Sequence, residues 1–292
     1  MSIVRKSLQK QGKRETTMYI NKVYAIFFSP ADSTKAVTEH IARQMSEALD
    51  VPCKTIDFTL PAARADKHSF QPDELVVFGV PTYAGRIPNK VLPFVQNLFE
   101  GKNTPVVCVV TYGNRNYDSS LTELVQELTG NSFKVFAAGA FVCRHVFSDR
   151  IAAGRPDADD YRKMDEFAGE AAKMLGSANS SIQAPVIRGG EPVAPYYVPK
   201  GEDGQPAKFL KAKPKTDLSK CTNCGICAEV CPMGSISHEN FADVPGICIK
   251  CQACILKCPE KAKYFDDEAF LSHVRMLEKN FTERREPECF FS

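Results

Sequence analysis

Two copies of one cysteine spacing near the carboxyl end constrain this chain more than any other feature. The first run, C-x2-C-x2-C-x3-C-P, comprises Cys221, Cys224, Cys227, Cys231 and Pro232. The second run comprises Cys248, Cys251, Cys254, Cys258 and Pro259. Such a run supplies three thiolates to one [4Fe–4S] cluster and its fourth thiolate to another cluster. The repeat therefore predicts two clusters and the transfer of single electrons at low potential.

The fourth cysteine of each run is expected to cross over to the other cluster, and this predicts a set of four ligands for each cluster. Cluster I is expected to take Cys221, Cys224, Cys227 and Cys258. Cluster II is expected to take Cys248, Cys251, Cys254 and Cys231. Paired CxxC motifs also hold zinc, but zinc ribbons use two cysteines per knuckle and lack the trailing Cys-Pro. The two-cluster interpretation is therefore favoured over a zinc site.

Length and charge limit the function classes that remain. A chain of 292 residues is long enough for two domains. Its 37 Lys and Arg residues nearly balance its 35 Asp and Glu residues, so charge gives no argument for binding nucleic acid or an anionic membrane. No apolar run approaches the ~20 residues that a membrane-spanning helix needs. Because metal-bound thiolates require a reducing compartment, we expect a cytoplasmic protein.

Apolar runs and helical periodicities alternate through the first part of the chain. Five strands are predicted over residues 22–28, 54–58, 74–80, 105–111 and 135–142. Amphipathic helices are predicted near residues 37–48, 89–99, 121–128 and 157–175. Nearly all-apolar strands are typical of a parallel sheet that is covered on both faces. The alternation predicts a doubly wound α/β domain over residues 19–176.

The remaining segments differ in composition. Residues 1–18 carry basic residues without the apolar core of a secretory signal, and we interpret them as a disordered leader. Residues 177–215 are rich in Pro, Gly and Ser, which predicts a linker. Residues 216–265 are predicted to form a small α+β cluster domain. In the tail, 266–292, apolar residues at helical spacing predict a helix over residues 266–281.

The loop after the first predicted strand has the composition of a phosphate-binding loop. Its candidate residues are Ser29, Asp32, Ser33, Thr34 and Lys35. Ligands of doubly wound sheets bind beyond the carboxyl ends of the strands, where hydroxyls and the N–H groups of a helix N-terminus can hold a phosphate. Hydroxyl-rich helix caps are also common, so simple capping is the alternative.

Two further loops are expected at the same edge of the sheet. After the third strand come Pro81, Thr82, Tyr83, Ala84, Gly85 and Arg86. After the fourth come Thr111, Tyr112, Gly113, Asn114, Tyr117 and Asp118. Glycines allow close approach of the backbone to a ligand. Because the chain has no Trp, Tyr83 and Tyr112 are the candidates for stacking on a flat ring.

With these loops and the two cysteine runs, the chain resembles the flavodoxin–ferredoxin fusion proteins of anaerobic prokaryotes. The resemblance implies a flavodoxin-like five-stranded parallel sheet in the order 2-1-3-4-5, followed by a two-cluster ferredoxin domain. It also implies non-covalent FMN, with the peptide at Gly85 facing the flavin N5. Flavodoxin phosphate loops usually have Thr then Gly where this chain has Ala31 and Asp32. We expect Asp32 to face solvent, with its charge offset by Lys35.

Three functions agree with these features. The first is an electron carrier that passes electrons between two [4Fe–4S] clusters and FMN, with a redox protein or a small molecule as partner. The second is an FMN-dependent reductase of a quinone or of an acceptor linked to NAD(P)H, although the chain has no G-x-G-x-x-G fingerprint. The third is a flavin-free ferredoxin module whose flavodoxin-like domain docks a partner.

Overall fold

The computed structural model describes residues 19–177, 183–188 and 191–292, so the predicted leader lies outside the described residues. The strands are β1 (Lys22–Phe27), β2 (Cys53–Asp57), β3 (His68–Phe70), β4 (Glu74–Pro81), β5 (Phe99–Gly101), β6 (Thr104–Tyr112), β7 (Phe133–Val142), β8 (Lys215–Thr216), β9 (Lys263–Tyr264) and β10 (Glu288–Phe291). The helices are α1 (Ser33–Leu49), α2 (Leu92–Leu98), α3 (Ser120–Gly130), α4 (Ala158–Ser177), α5 (Ile226–Glu229), α6 (Ala253–Leu256) and α7 (Glu268–Asn280).

The main sheet has the strand order β10-β7-β6-β4-β1-β2. Its five parallel strands follow the flavodoxin-like order, with the first strand between the second and the third. The sequence prediction of five strands was incomplete, because β10 adds a sixth strand antiparallel to β7. A strand of four residues at the end of a chain has too short a pattern to be recognised without its partner.

The central strands are buried on both faces because helices cover both sides of the sheet. Along β4, Val76 and Phe78 enter the core that includes α2 and α3. Leu75 and Val77 enter the opposite core, which includes α1 and α4. Strands buried on both faces read as continuous apolar runs, which is why their positions were predictable. This arrangement brings the loops after β1, β4 and β6 to one edge.

The cluster domain follows the α/β domain and consists of short elements. The two-residue strands β8 and β9 pair antiparallel, and the four-residue helices α5 and α6 each lie within one cysteine run. Helix α7 is capped by the Asp267 side chain, which accepts a hydrogen bond from the Phe270 amide. The helix predicted over residues 266–281 is confirmed by α7, but the tail 266–292 is not helical throughout, because the chain leaves α7 and returns to the main sheet as β10.

No helix in the described ranges is both long and apolar enough to cross a membrane.

Candidate iron–sulfur site and sheet edge

The cysteines of the two runs surround two separate cavities. The first cavity is lined by Cys221, Cys224, Cys227 and Cys258. The second is lined by Cys231, Cys248, Cys251 and Cys254. In each cavity, three thiols come from one run and the fourth comes from the other. Four soft sulfur donors around a mostly apolar cavity fit a [4Fe–4S] cluster.

The two runs share a backbone conformation as well as a sequence pattern. Three positions in each run have positive φ and correspond between the runs: Asn223 with Lys250, Gly225 with Gln252, and Gly234 with Lys261. After each crossing cysteine the chain turns so that an amide faces the sulfur. Ser235 N–H donates to Cys231 Sγ at 3.2 Å, and Ala262 N–H donates to Cys258 Sγ at 3.3 Å. Hydrogen bonds to sulfur are one determinant of cluster potential.

Each cavity includes one buried cysteine, Cys227 or Cys251, but only the first includes an exposed one, Cys224. Burial raises the pKa of the Cys254 thiol to about 12, so a thiolate there depends on a bound metal. Burial also raises the pKa of the Tyr83 phenol well above its usual value, and the nearby thiols of Cys251 and Cys248 act in the same direction. Tyr83 therefore lies beside the second cavity.

The cluster domain contacts the sheet edge at the residues next to both crossing cysteines. Lys257, which precedes Cys258, places its ammonium 3.0 Å from the Asp32 carboxylate. The carbonyl of Pro232, which follows Cys231, accepts a hydrogen bond from Arg64 at 2.9 Å. Neither contact was predictable from the sequence, since neither Lys257 nor Arg64 lies in a local motif.

The loop after β1 is closed by bonds within the protein. Lys35 N–H donates to Ser29 Oγ at 2.9 Å, and the hydroxyls of Thr34 and Thr111 lie 2.7 Å apart. Asp32 has φ 65° and makes no side-chain capping bond. The expectation that Lys35 offsets the Asp32 charge was wrong, because Lys257 is the cation that pairs with it. Ser33 begins α1 at this edge.

The loop after β4 makes a tight turn in which Tyr83 and Arg86 exchange two backbone hydrogen bonds. Ala84 and Gly85 at the tip have φ of 50° and 78°. Above Gly85 lies the Asp118 carboxylate, which a Cβ at residue 85 would overlap. The Ser119 amide also donates to the Gly85 carbonyl at 3.0 Å. The two loops predicted to flank a ring therefore contact each other directly.

The predicted residues of the loop after β6 face in different directions. Tyr112 is only 5% exposed, and its ring packs edge-on against Tyr117. Tyr112 is thus part of the core and is not open for stacking at the edge. The Asn114 side chain donates to the carbonyls of Phe281 and Glu283 at 2.7 and 2.8 Å, which anchors the segment after α7.

Three further predicted residues are engaged by neighbouring groups. The Thr82 hydroxyl lies 2.6 Å from that of Ser120. Gly113 provides space for the ring of His145. Pro81 ends β4, in register with Thr111 of β6.

Part of the predicted linker crosses both loops, and we call residues 194–197 the tyrosine strap. Tyr197 N–H donates to the Ala84 carbonyl at 2.8 Å. The Arg115 guanidinium lies 4.0 Å from the centroid of the Tyr197 ring and pairs with Asp118. Arg86 lies 4.8 Å from the centroid of the Tyr196 ring. The adjacent tyrosines in a Pro-rich segment were the signal that could have indicated this contact.

Some groups at this edge of the sheet favour FMN binding, and others oppose it. The N-terminus of α1 and the Lys257 ammonium suit a phosphate, but the Asp32 carboxylate lies at the same end. At the ring end, Gly85 and Asp118 are in contact. FMN therefore fits this edge only after the Asp32–Lys257 and Gly85–Asp118 contacts open.

A comparison with family models identifies the beginning of the second domain. Residues 214–237 match the family described as 4Fe-4S binding domain. The chain thus contains a ferredoxin domain. This ferredoxin domain follows a flavodoxin-like α/β domain, and the matched residues include the first cysteine run. No curated protein matches the chain.

Several solved structures resemble the α/β part. A flavodoxin from the domain Archaea is 11% identical, with a TM-score of 0.35, and the match covers 53% of this chain and 98% of that one. Rubredoxin oxygen:oxidoreductase from Desulfovibrio gigas is 18% identical, with a TM-score of 0.38 and coverage of 56% and 38%. An NADH:FMN oxidoreductase in its apo form is 14% identical, with a TM-score of 0.37 and coverage of 59% and 96%. These values are too low to indicate a function.

Proposed function

We propose that this protein is an iron–sulfur electron carrier with two [4Fe–4S] clusters, which exchanges electrons between an external redox partner and FMN at the sheet edge. The observation that carries the proposal is the grouping of the eight cysteines. Each cavity is lined by one set of four thiols, and each set includes the fourth cysteine of the other run. A two-cluster ferredoxin requires this crossing, whereas a zinc ribbon does not.

The surroundings of the two cavities suggest which cluster exchanges electrons with which partner. Cys224 at the first cavity is exposed, so an external partner would exchange electrons there. No cysteine of the second cavity is exposed, and the charges of Cys251 and Cys248 act on the phenol of Tyr83 in the loop after β4. Cluster I would therefore exchange electrons with the external partner, and cluster II with the α/β domain.

The FMN part of the proposal is supported by the strand order and by the position of the loops beside cluster II. Loop 29–35 would hold the phosphate, while Tyr83 and Gly85 would lie at the ring. A bound flavin would accept electrons one at a time or as a hydride. The role of the protein is then to hold the ring near cluster II and to exclude water.

A second candidate is a flavin-free module, and a specific observation favours it. The loops that would flank the ring are joined by the Ser119–Gly85 hydrogen bond and covered by the tyrosine strap. In that case the sheet edge would serve only to hold the ferredoxin domain. The reductase alternative has no comparable observation in its favour.

Cofactor analysis after anaerobic purification separates these functions. We expect about eight irons and eight sulfides per chain, no zinc, and bound or bindable FMN. Full iron content without any flavin affinity would favour the flavin-free module. Zinc, or thiols without inorganic sulfide, would contradict the redox function itself. Steady oxidation of NADH or NADPH by the pure protein would favour the reductase.

A further inference from the structure

Arg64 is a buried cation that has no ionic partner among the described residues. It is 9% exposed and ends a short 3-10 turn, Pro61–Arg64, at the carboxyl edge of the sheet. The guanidinium lies over two rings, 5.4 Å from the centroid of Phe28 and 4.8 Å from that of Phe94. Among the described residues, no carboxylate forms a salt bridge with Arg64. Burial lowers the pKa of Arg64, and the more distant charge of Asp57 opposes that effect.

The hydrogen bonds of Arg64 point toward the cluster domain. Its Nε donates to the Phe58 carbonyl at 2.8 Å, and its Nη2 donates to the Thr59 carbonyl. The same Nη2 donates to the Pro232 carbonyl at 2.9 Å, across the interface between the two domains. Pro232 follows Cys231, which is the crossing thiol of the second cavity.

A buried charge is costly unless an opposite charge compensates it. Carbonyl dipoles satisfy the N–H groups of Arg64 but do not neutralise its charge. A [4Fe–4S] cluster with four thiolates is anionic, and it gains a further negative charge when it is reduced. Net charge, burial and nearby hydrogen bonds are the properties by which a protein sets cluster potential.

We propose that Arg64 positions Cys231 through the Pro232 carbonyl, that it adds a buried positive charge to that of Lys250, which lines the second cavity, and that it raises the reduction potential of cluster II above the value the cluster would otherwise have. The inference rests on the proposed second cluster. The step concerned is the addition of one electron to cluster II, with no bond formed or broken. The Arg64 charge stabilises the added electron and thereby makes cluster II the acceptor next to the sheet edge.

Lys220 provides the matched control at a ligand of the other cluster. It precedes Cys221 of cluster I, but its side chain is 59% exposed and its charge is paired with Asp217. Solvent screening and the carboxylate both weaken its effect on a nearby cluster. The two cations are thus expected to differ in their effects on potential.

The test is a dithionite titration of the full chain, purified anaerobically and followed by EPR. Arg64→Met should lower one of the two midpoint potentials by at least about 59 mV, which is a tenfold change in a one-electron equilibrium. In Arg64→Lys the midpoint potential should stay close to that of the unsubstituted protein, because lysine keeps the positive charge. Lys220→Met should leave both potentials within about a threefold change in the equilibrium.

Several outcomes would overturn the inference. One is unchanged midpoint potentials in an Arg64→Met protein that keeps its iron. Another is an equal loss of potential in Arg64→Lys, since this would show that only the geometry matters. Should Arg64→Met not fold, Arg64→Gln carries the same test, because it is neutral but can still donate to Pro232. Loss of iron from the unsubstituted protein would instead contradict the proposed function.

Discussion

The ammonium group of Lys257 lies 3.0 Å from the carboxylate of Asp32, although 225 positions separate the two residues in the chain. This pair joins the ferredoxin domain to the loop that would hold a flavin phosphate. Its side chains are 33% and 61% exposed, so the pair contributes at most about 1 kcal/mol and can open. Asp32 thus determines how well this edge accepts an anion.

Asp32→Gly is expected to increase the affinity for FMN about tenfold, or about 1.4 kcal/mol. The substitution removes a carboxylate from the N-terminus of α1 and frees Lys257 for the phosphate. It also suits the backbone, because residue 32 has φ 65°. Titration of the purified chain with FMN, followed by flavin fluorescence, measures the effect.

Two controls make this experiment specific for the phosphate. Riboflavin lacks the phosphate, so its affinity should not change in Asp32→Gly. Asp50→Gly makes the same substitution at the opposite end of α1, where Asp50 is exposed and has φ 53°. Equal gains for FMN and riboflavin, or a gain in Asp50→Gly, would contradict the assignment of Asp32.

The crossing of the ligands can be tested with the fourth cysteine of each run. Cys231→Ser should remove the same cluster as Cys251→Ser, and Cys258→Ser should remove the same cluster as Cys224→Ser. Each of the four proteins should lose about half of its iron, because each cluster holds four irons. EPR spectra of the remaining cluster should agree within each pair. Agreement of Cys231→Ser with Cys224→Ser instead would show that each run serves its own cluster.

The part of the fold that local patterns determine was predictable. Strand β4 is apolar from Leu75 onward because it is buried on both faces, and such a run is visible in the sequence alone. The cysteine spacing likewise identified the two thiol sets, since three ligands of each set lie within one run. In both cases the physical cause acts over fewer than about ten neighbouring residues.

The remainder depends on contacts between residues that are distant in the chain. Strand β10 exists because β7 offers it an edge, and the tyrosine strap is ordered by Ala84 and Arg115. Lys257 and Asp32 each look like ordinary surface charges in the sequence. They become partners only because the fold brings the two domains together. Lys35 was predicted as the counter-ion of Asp32 because it is the nearest cation in the sequence.

Gly85→Ala should destabilise the α/β domain by about 2–4 kcal/mol. Its φ of 78° costs a residue with a Cβ about 1–2 kcal/mol, and the new methyl group would overlap the Asp118 carboxylate. Gly154→Ala is the matched control, because Gly154 has φ 74° and open space around it. Urea unfolding followed by circular dichroism gives both free energies.

The difference between the two glycine variants isolates the overlap with Asp118. Adding Asp118→Ala to Gly85→Ala should therefore recover part of the lost stability. Equal destabilisation of Gly85→Ala and Gly154→Ala would show that backbone strain alone acts. That result would contradict direct contact between the two loops.

The carboxyl-terminal strand closes the edge of the main sheet, so deletion of residues 288–292 should destabilise the α/β domain by about 3 kcal/mol. Phe290 and Phe291 are half-buried on opposite cores, and each contributes about 1.5 kcal/mol. The deletion also leaves the backbone of β7 unpaired, which favours association between chains. Glu288→Gln is the control: it keeps the strand pairing and a partner for Tyr117, so it should cost at most about 1 kcal/mol. Unfolding curves and light scattering measure both effects, and a truncated chain that stays monomeric with unchanged stability would contradict a structural role for β10.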